Sequence, residues 1–111
     1  MKKKITKWKT GAVRDNQEGK EDYIETISWL SFQRYAKYMT KMAEKYGSGN
    51  WIKGIPIESY ERSMLRHIQK YLANKQYGAK LEPEIDHLSA AWFNLMGIMH
   101  EQEMHRIKNE K

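Results

Sequence analysis

The 111-residue chain has no cysteine. That excludes a disulfide scaffold, a thiolate zinc centre and a cysteine nucleophile, and it fits a reducing compartment. No run approaches the ~18 apolar residues of a membrane-spanning helix. The N-terminus, Met1 to Lys9, lacks the apolar stretch of a secretory signal, so we expect a soluble, cytoplasmic protein. Proline is scarce, with two residues, and no alternating apolar–polar run marks a strand. Acidic side chains are outnumbered, 14 against 20 basic ones. A single domain of this length buries a modest share of its surface, which makes an oligomer a reasonable expectation.

The excess positive charge is unevenly placed. Lys2, Lys3, Lys4, Lys7 and Lys9 account for five of the six net charges, and the remaining residues are nearly balanced. Within the body, residues 50–80 carry six basic and two acidic groups, whereas residues 81–111 carry three and six. A solubilising tail and an internal dipole describe this better than a basic coat. Residues 10–111 therefore lack the electrostatic footprint of a nucleic-acid binder.

Residues 1–20 are polar, include Gly11 and Gly19, and read as a basic arm and loop. Residues 21–111 read as one helical domain. From Asp22 to Tyr46 there is no proline or glycine, and two adjacent apolar stripes suggest a long helix buried on more than one side, ended by Gly47-Ser48-Gly49. Ile57, Tyr60, Met64, Leu65, Ile68 and Leu72 mark a second helix to about Asn74. A third begins near Pro83, which fits a first helical turn, and runs to about His105 through Ile85, Leu88, Trp92, Leu95 and Met99. The expectation is an all-α bundle of three principal helices. Three helices cannot easily cover the broad sector of the first, so a homo-oligomer would complete the core.

Polar groups on the second and third helices could converge on a ligand. Ser63, Arg66, His67 and Lys70 lie at spacings of three and four, away from the apolar stripe. His87 and Asn94 are seven apart and point the same way within about 20°. Arg66 could fork onto a phosphate, Ser63 and His67 could donate, and Asn94 could read a base or ribose edge. The alternative is a hydrogen-bonded helix interface, with Arg66 paired to Asp86 or Glu84. Ala90, Ala91 and Gly97 leave room for a ligand or for another helix. Trp51 could staple its loop to the core or stack on a base. Of the carboxylates, Glu58 with Glu61 and Glu82 with Asp86 each lie about one helical turn apart, the kind of pairing that Mg²⁺ requires. His100 and His105 are five apart rather than four, which rules out the metalloprotease arrangement.

The string Gly11-Ala12-Val13-Arg14-Asp15, Gly19-Lys20, Lys45-Tyr46-Gly47, Asn50-Trp51, Lys53-Gly54, Pro56, Tyr60, Ser63, Arg66-His67, Glu82, His87-Leu88 and Asn94 resembles the phage dATP/dGTP diphosphohydrolase N-terminal-domain family. That family occurs in phages and prophages and is similar to the all-α MazG-like nucleotide pyrophosphohydrolases. The resemblance implies a purine nucleotide ligand and Mg²⁺-dependent cleavage of its α–β phosphate bond. It adds Arg14, Lys20, Asn50 and Lys53 to the candidate nucleotide-binding residues. It also implies a metal set of Glu-x-x-Glu followed by Glu-x-x-Asp. Glu58 and Glu61 fit the first half, whereas Glu82 and Asp86 are spaced one residue wider than the second.

Three readings follow. In the first, the protein captures an anionic purine nucleotide, including a cyclic or immune-signalling one, and holds it without turnover, as a phage counter-defence protein would in the host cytoplasm. In the second, it is a Mg²⁺-dependent dATP/dGTP pyrophosphohydrolase. In the third, it is a helical interaction or DNA-binding module that works through its lysine tail.

Overall fold

A computed structural model describes residues 4–110. Two short strands, β1 (Ile5–Lys7) and β2 (Val13–Asp15), are followed by three α-helices: α1 (Trp29–Tyr46), α2 (Ile57–Tyr77) and α3 (His87–Asn109). The fold is predominantly helical, as the periodicity predicts. Lys2 and Lys3 of the expected arm lie outside the described residues.

The first difference is the arm itself. Ile5 pairs with Asp15, Thr6 with Arg14 and Lys7 with Val13, in an antiparallel hairpin where a loop is expected. Three-residue strands are too short to display a period-two pattern. The connection closes through Trp8 and Ala12, with the amide of Gly11 donating to the Trp8 carbonyl at 3.0 Å. Lys4 reaches Glu18 at 2.8 Å across the exposed base of the hairpin.

The helix starts differ for identifiable reasons. α1 begins seven residues later than the absence of breakers suggests, because Asp22 Oδ1 accepts the amides of Ile24 and Glu25 at 2.9 and 3.0 Å and turns the chain. Ser28 then caps the helix by accepting the Ser31 amide at 3.2 Å. Pro83 lies in a turn rather than a helix. The Ile85 amide donates to the Glu82 carbonyl at 3.1 Å, which puts Pro83 at the second turn position that its fixed φ favours. Glu82 takes a left-handed φ of 45°, and the residue before proline is disfavoured in right-handed helix. α3 therefore starts only after Asp86, and it extends to Asn109.

The packing of α3 departs furthest from the sequence expectation. Its buried positions are His87, Ser89, Ala90, Asn94 and Gly97, a small and polar stripe facing α2. The apolar stripe faces outward, with Leu88, Leu95 and Met99 exposed. Close approach explains the choice. A Cβ placed on Gly97 would lie 2.2 Å from Tyr60 Cε1, so only glycine admits the Tyr60 ring, which is 2% exposed. Phe93 packs edge-on to Tyr60 at 5.8 Å.

α1 leans on this α2–α3 pair along one edge. Tyr35 is buried against Trp92, with ring centroids 4.8 Å apart, and its hydroxyl donates to Met96 Sδ at 3.5 Å. Arg34 grips Asp86 with two hydrogen bonds of 2.7 Å. Tyr38, Met39, Met42 and Ala43 are half-buried, while Trp29, Leu30, Phe32 and Tyr46 stay exposed. The radius of gyration is 19.6 Å, against about 13 Å for a compact chain of this length. The splayed first helix leaves a cleft.

Candidate nucleotide-binding cleft

The cleft lies between the C-terminal half of α1, the Gly47–Gly49 loop, and the facing sides of α2 and α3, with a volume of about 940 Å³. Small-molecule sites span ~300–1,000 Å³, so it has room for a nucleotide. Its rim is set by local backbone chemistry. The Gly47 amide donates to the Ala43 carbonyl at 2.9 Å and closes α1. Gly47 and Gly49 both take left-handed φ values, 88° and 71°, that side chains with a Cβ resist. The loop then delivers a 3-10 turn, Asn50–Lys53, which carries Trp51 to the cleft wall.

Six of the sequence-predicted residues line this cleft: Asn50, Trp51, Ser63, His67, Asp86 and Asn94. His87 lies directly behind His67, with Nδ1 atoms 2.9 Å apart. The structure does not bring the other candidates to the cleft lining. Arg14 is exposed on β2, Lys20 follows the hairpin, and Lys53, Arg66 and Lys70 lie outside the lining residues. The cationic set expected from α2 is replaced by Lys41 and Lys45 of α1, which line the cleft together with Tyr38 and Tyr46. Sequence reasoning missed these four. The available signal was their i, i+3, i+7, i+8 spacing immediately before the glycine-rich breaker.

The floor is polar and ordered. Asn94 is buried and donates from Nδ2 to the Ala90 carbonyl at 2.7 Å. His87 is 7% exposed and places Nε2 3.3 Å from the Leu81 carbonyl. That peptide is held on both sides by Asn74, which accepts the Leu81 amide at 2.8 Å and donates to its carbonyl at 3.2 Å. Burial, and next the neighbouring His87, hold the His67 imidazole below its ordinary pKa, so it is neutral at pH 7.

Of the carboxylates proposed for a metal, Asp86, Glu58 and Glu82 each have a basic partner, and Glu84 lines the cleft beside Asp86. Asp86 caps α3, accepting the Ser89 amide at 3.2 Å and the Ser89 hydroxyl at 2.7 Å, while it binds Arg34. Burial works against its ionisation, but the Arg34 and Ser89 hydrogen bonds prevail and hold its pKa at about 2. The expected alternative partner, Arg66, gives way to Arg34. Glu82 pairs with Lys70 at 3.4 Å, and Glu58 binds Arg62 four residues on at 2.5 Å. Among the described residues, no three His, Asp or Glu side chains gather as a metal site. Within one chain, then, Glu58, Glu61, Glu82 and Asp86 do not fit a shared Mg²⁺ ion.

Trp51 has a second surface. It meets His100 edge-on at 4.9 Å and also borders a shallower groove of about 450 Å³, with Trp92, Leu95, Met96 and Met99. Trp51 thus joins the cleft wall to the outward apolar face of α3.

The decisive comparison covers nearly all of this architecture. The family described as dATP/dGTP diphosphohydrolase, N-terminal, matches residues 10–111. The chain belongs to that family. The dATP/dGTP diphosphohydrolase N-terminal match runs from the hairpin through α3 and so includes every residue of the cleft. No curated protein and no solved structure matches the chain. No described helix is long and apolar enough to cross a membrane.

Proposed function

We propose that the chain captures an anionic purine nucleotide in this cleft and releases it unchanged. The family description supplies the nucleotide class. The observation that carries the reading is the division of labour in the cleft. Its wall offers aromatic faces and two lysines, while Asp86, the one Mg²⁺ candidate that reaches it, is already neutralised by Arg34. Trp51 or Tyr38 provides a stacking platform worth ~1–3 kcal/mol per base, and Lys41 and Lys45 answer the phosphate charge. Asn94 and His67 face the ligand from the floor. Such a site binds phosphates through ammonium groups and needs no metal to do so.

The uncovered faces of α1 and α3 support a homo-oligomer, in which exposed Trp29, Leu30, Phe32, Leu95 and Met99 become interior. Retention of an immune-signalling nucleotide in a phage-infected host is the biological setting that this chemistry suits. The family description also favours a second reading, Mg²⁺-dependent hydrolysis of dATP or dGTP. That reading requires carboxylates from more than one chain to meet, because one chain does not gather them. The two separate cleanly. The protein is incubated with dATP, dGTP and a panel of cyclic nucleotides in the presence of Mg²⁺, then denatured. Capture predicts intact ligand; hydrolysis predicts monophosphate and pyrophosphate.

A further inference from the structure

The two histidines at the cleft floor fix each other's protonation pattern. A carbonyl oxygen only accepts, so His87 must carry its proton on Nε2 to bond the Leu81 carbonyl 3.3 Å away. A neutral His87 then has a bare Nδ1. The Nδ1 of His67 lies 2.9 Å from that atom and must be the donor. A neutral His67 protonated on Nδ1 has, by exclusion, a bare Nε2. Among the described residues that nitrogen has no hydrogen-bond partner, it is not among the occluded unpartnered polar atoms, and the residue lines the cleft.

We propose that His67 is a specificity-determining residue whose unprotonated Nε2 accepts a hydrogen bond from the amino group of the bound purine. The inference rests on the nucleotide-capture reading above and deepens it by naming the ligand atom recognised. His67 is then an acceptor, the reverse of the donor role expected from the sequence. A lone pair repels a phosphate oxygen, so the phosphates are directed to Lys41 and Lys45 and the base to the α2–α3 floor. Asn74 and His87 are positioning residues. Asn74 clamps the Leu81 peptide, that carbonyl sets the His87 tautomer, and His87 sets that of His67. The relay runs from an exposed connection to the cleft without any group that must ionise.

Two measurements test it on the intact chain. Long-range ¹H–¹⁵N NMR of the free protein at neutral pH should show His67 protonated on Nδ1 and His87 on Nε2. A His67 ring protonated on Nε2, or a cationic His87, overturns the proposal whether or not any nucleotide binds. Binding titrations then compare dATP with its purine counterpart lacking the 6-amino group, and dGTP with dITP. For the purine that binds, the amino group should improve affinity about tenfold, the scale of one well-formed hydrogen bond. His67→Phe should reduce that preference to within twofold while leaving tripolyphosphate binding unchanged. Asn74→Ala, outside the cleft, should weaken the preference and shift the His67 tautomer signals. A wild-type preference below twofold in both pairs refutes the proposal. Failure of every nucleotide to bind refutes the capture reading instead, and the NMR result still judges the tautomers.

Discussion

Replacing Asp86 separates two jobs that this carboxylate does at once. It caps α3 through the Ser89 amide, and it ties α3 to α1 through Arg34. Lowering its pKa from 3.8 to about 2 corresponds to roughly 2 kcal/mol at ~1.36 kcal/mol per pH unit. Arg34 is 59% exposed, so water screens the pair and about 1.5 kcal/mol is a fairer figure. Asp86→Asn keeps a good cap and should lose about 1.5 kcal/mol; Asp86→Ala loses the cap as well, a further ~1 kcal/mol. At ~4 °C per kcal/mol for a chain of this size, the melting temperatures should fall by about 6 and 10 °C. Because the folded-state pKa is depressed, the contribution is complete above pH 4 and disappears as pH falls from about 4 to 2. Thermal or urea unfolding of the three proteins at pH 7, 4 and 2.5 reads the effect directly. Equal stabilities of wild type and Asp86→Asn at pH 7, or a difference that persists undiminished at pH 2, refute this account of the α1–α3 tether.

Gly97→Ala should destabilise by about 3 kcal/mol, measured by urea unfolding, since the new methyl would lie 2.2 Å from a ring that is 2% exposed. Replacing both Lys41 and Lys45 with Gln should weaken nucleotide binding about tenfold or more and flatten its salt dependence. The same change made at Arg66 and Lys70 should alter affinity less than twofold, because neither lines the cleft.

The existence of three helices and their C-terminal breakers was legible because Gly47 and Gly78 end α1 and α2 in backbone conformations that other residues resist. Their starts were not. Asp22 and Pro83 build turns whose hydrogen bonds imitate a helix N-terminus in composition, so acidic residues and proline there did not mark the first helical turn. The face of α3 was misread for a different reason. Apolar periodicity identifies what wants to be buried, but not by whom. Inside one chain α3 buries His87, Ser89, Ala90, Asn94 and Gly97, while Leu88, Leu95 and Met99 stay exposed. His67, Asn94 and Trp51 reach the cleft because each lies on or beside a helical face that converges on it. The lysines that line the cleft are on α1 rather than α2, and local charge counts cannot show which helix faces inward. Asp86 was read as a metal ligand, although an Asp three residues before Ser89 is equally a helix cap. Lys4, Lys7 and Lys9 do not line the cleft; removing residues 1–9 would delete β1, so the hairpin and the tail cannot be tested by one deletion.

Capture without turnover is tested most directly by a single-turnover experiment. Protein in excess over radiolabelled dATP or dGTP, with Mg²⁺ present, is incubated until binding is complete, then denatured and its nucleotide content separated by chromatography. The proposed function predicts that the bound label returns as the starting nucleotide, at up to one equivalent per cleft. Label recovered as monophosphate, accompanied by pyrophosphate, would contradict it and establish the cleft as a hydrolytic site.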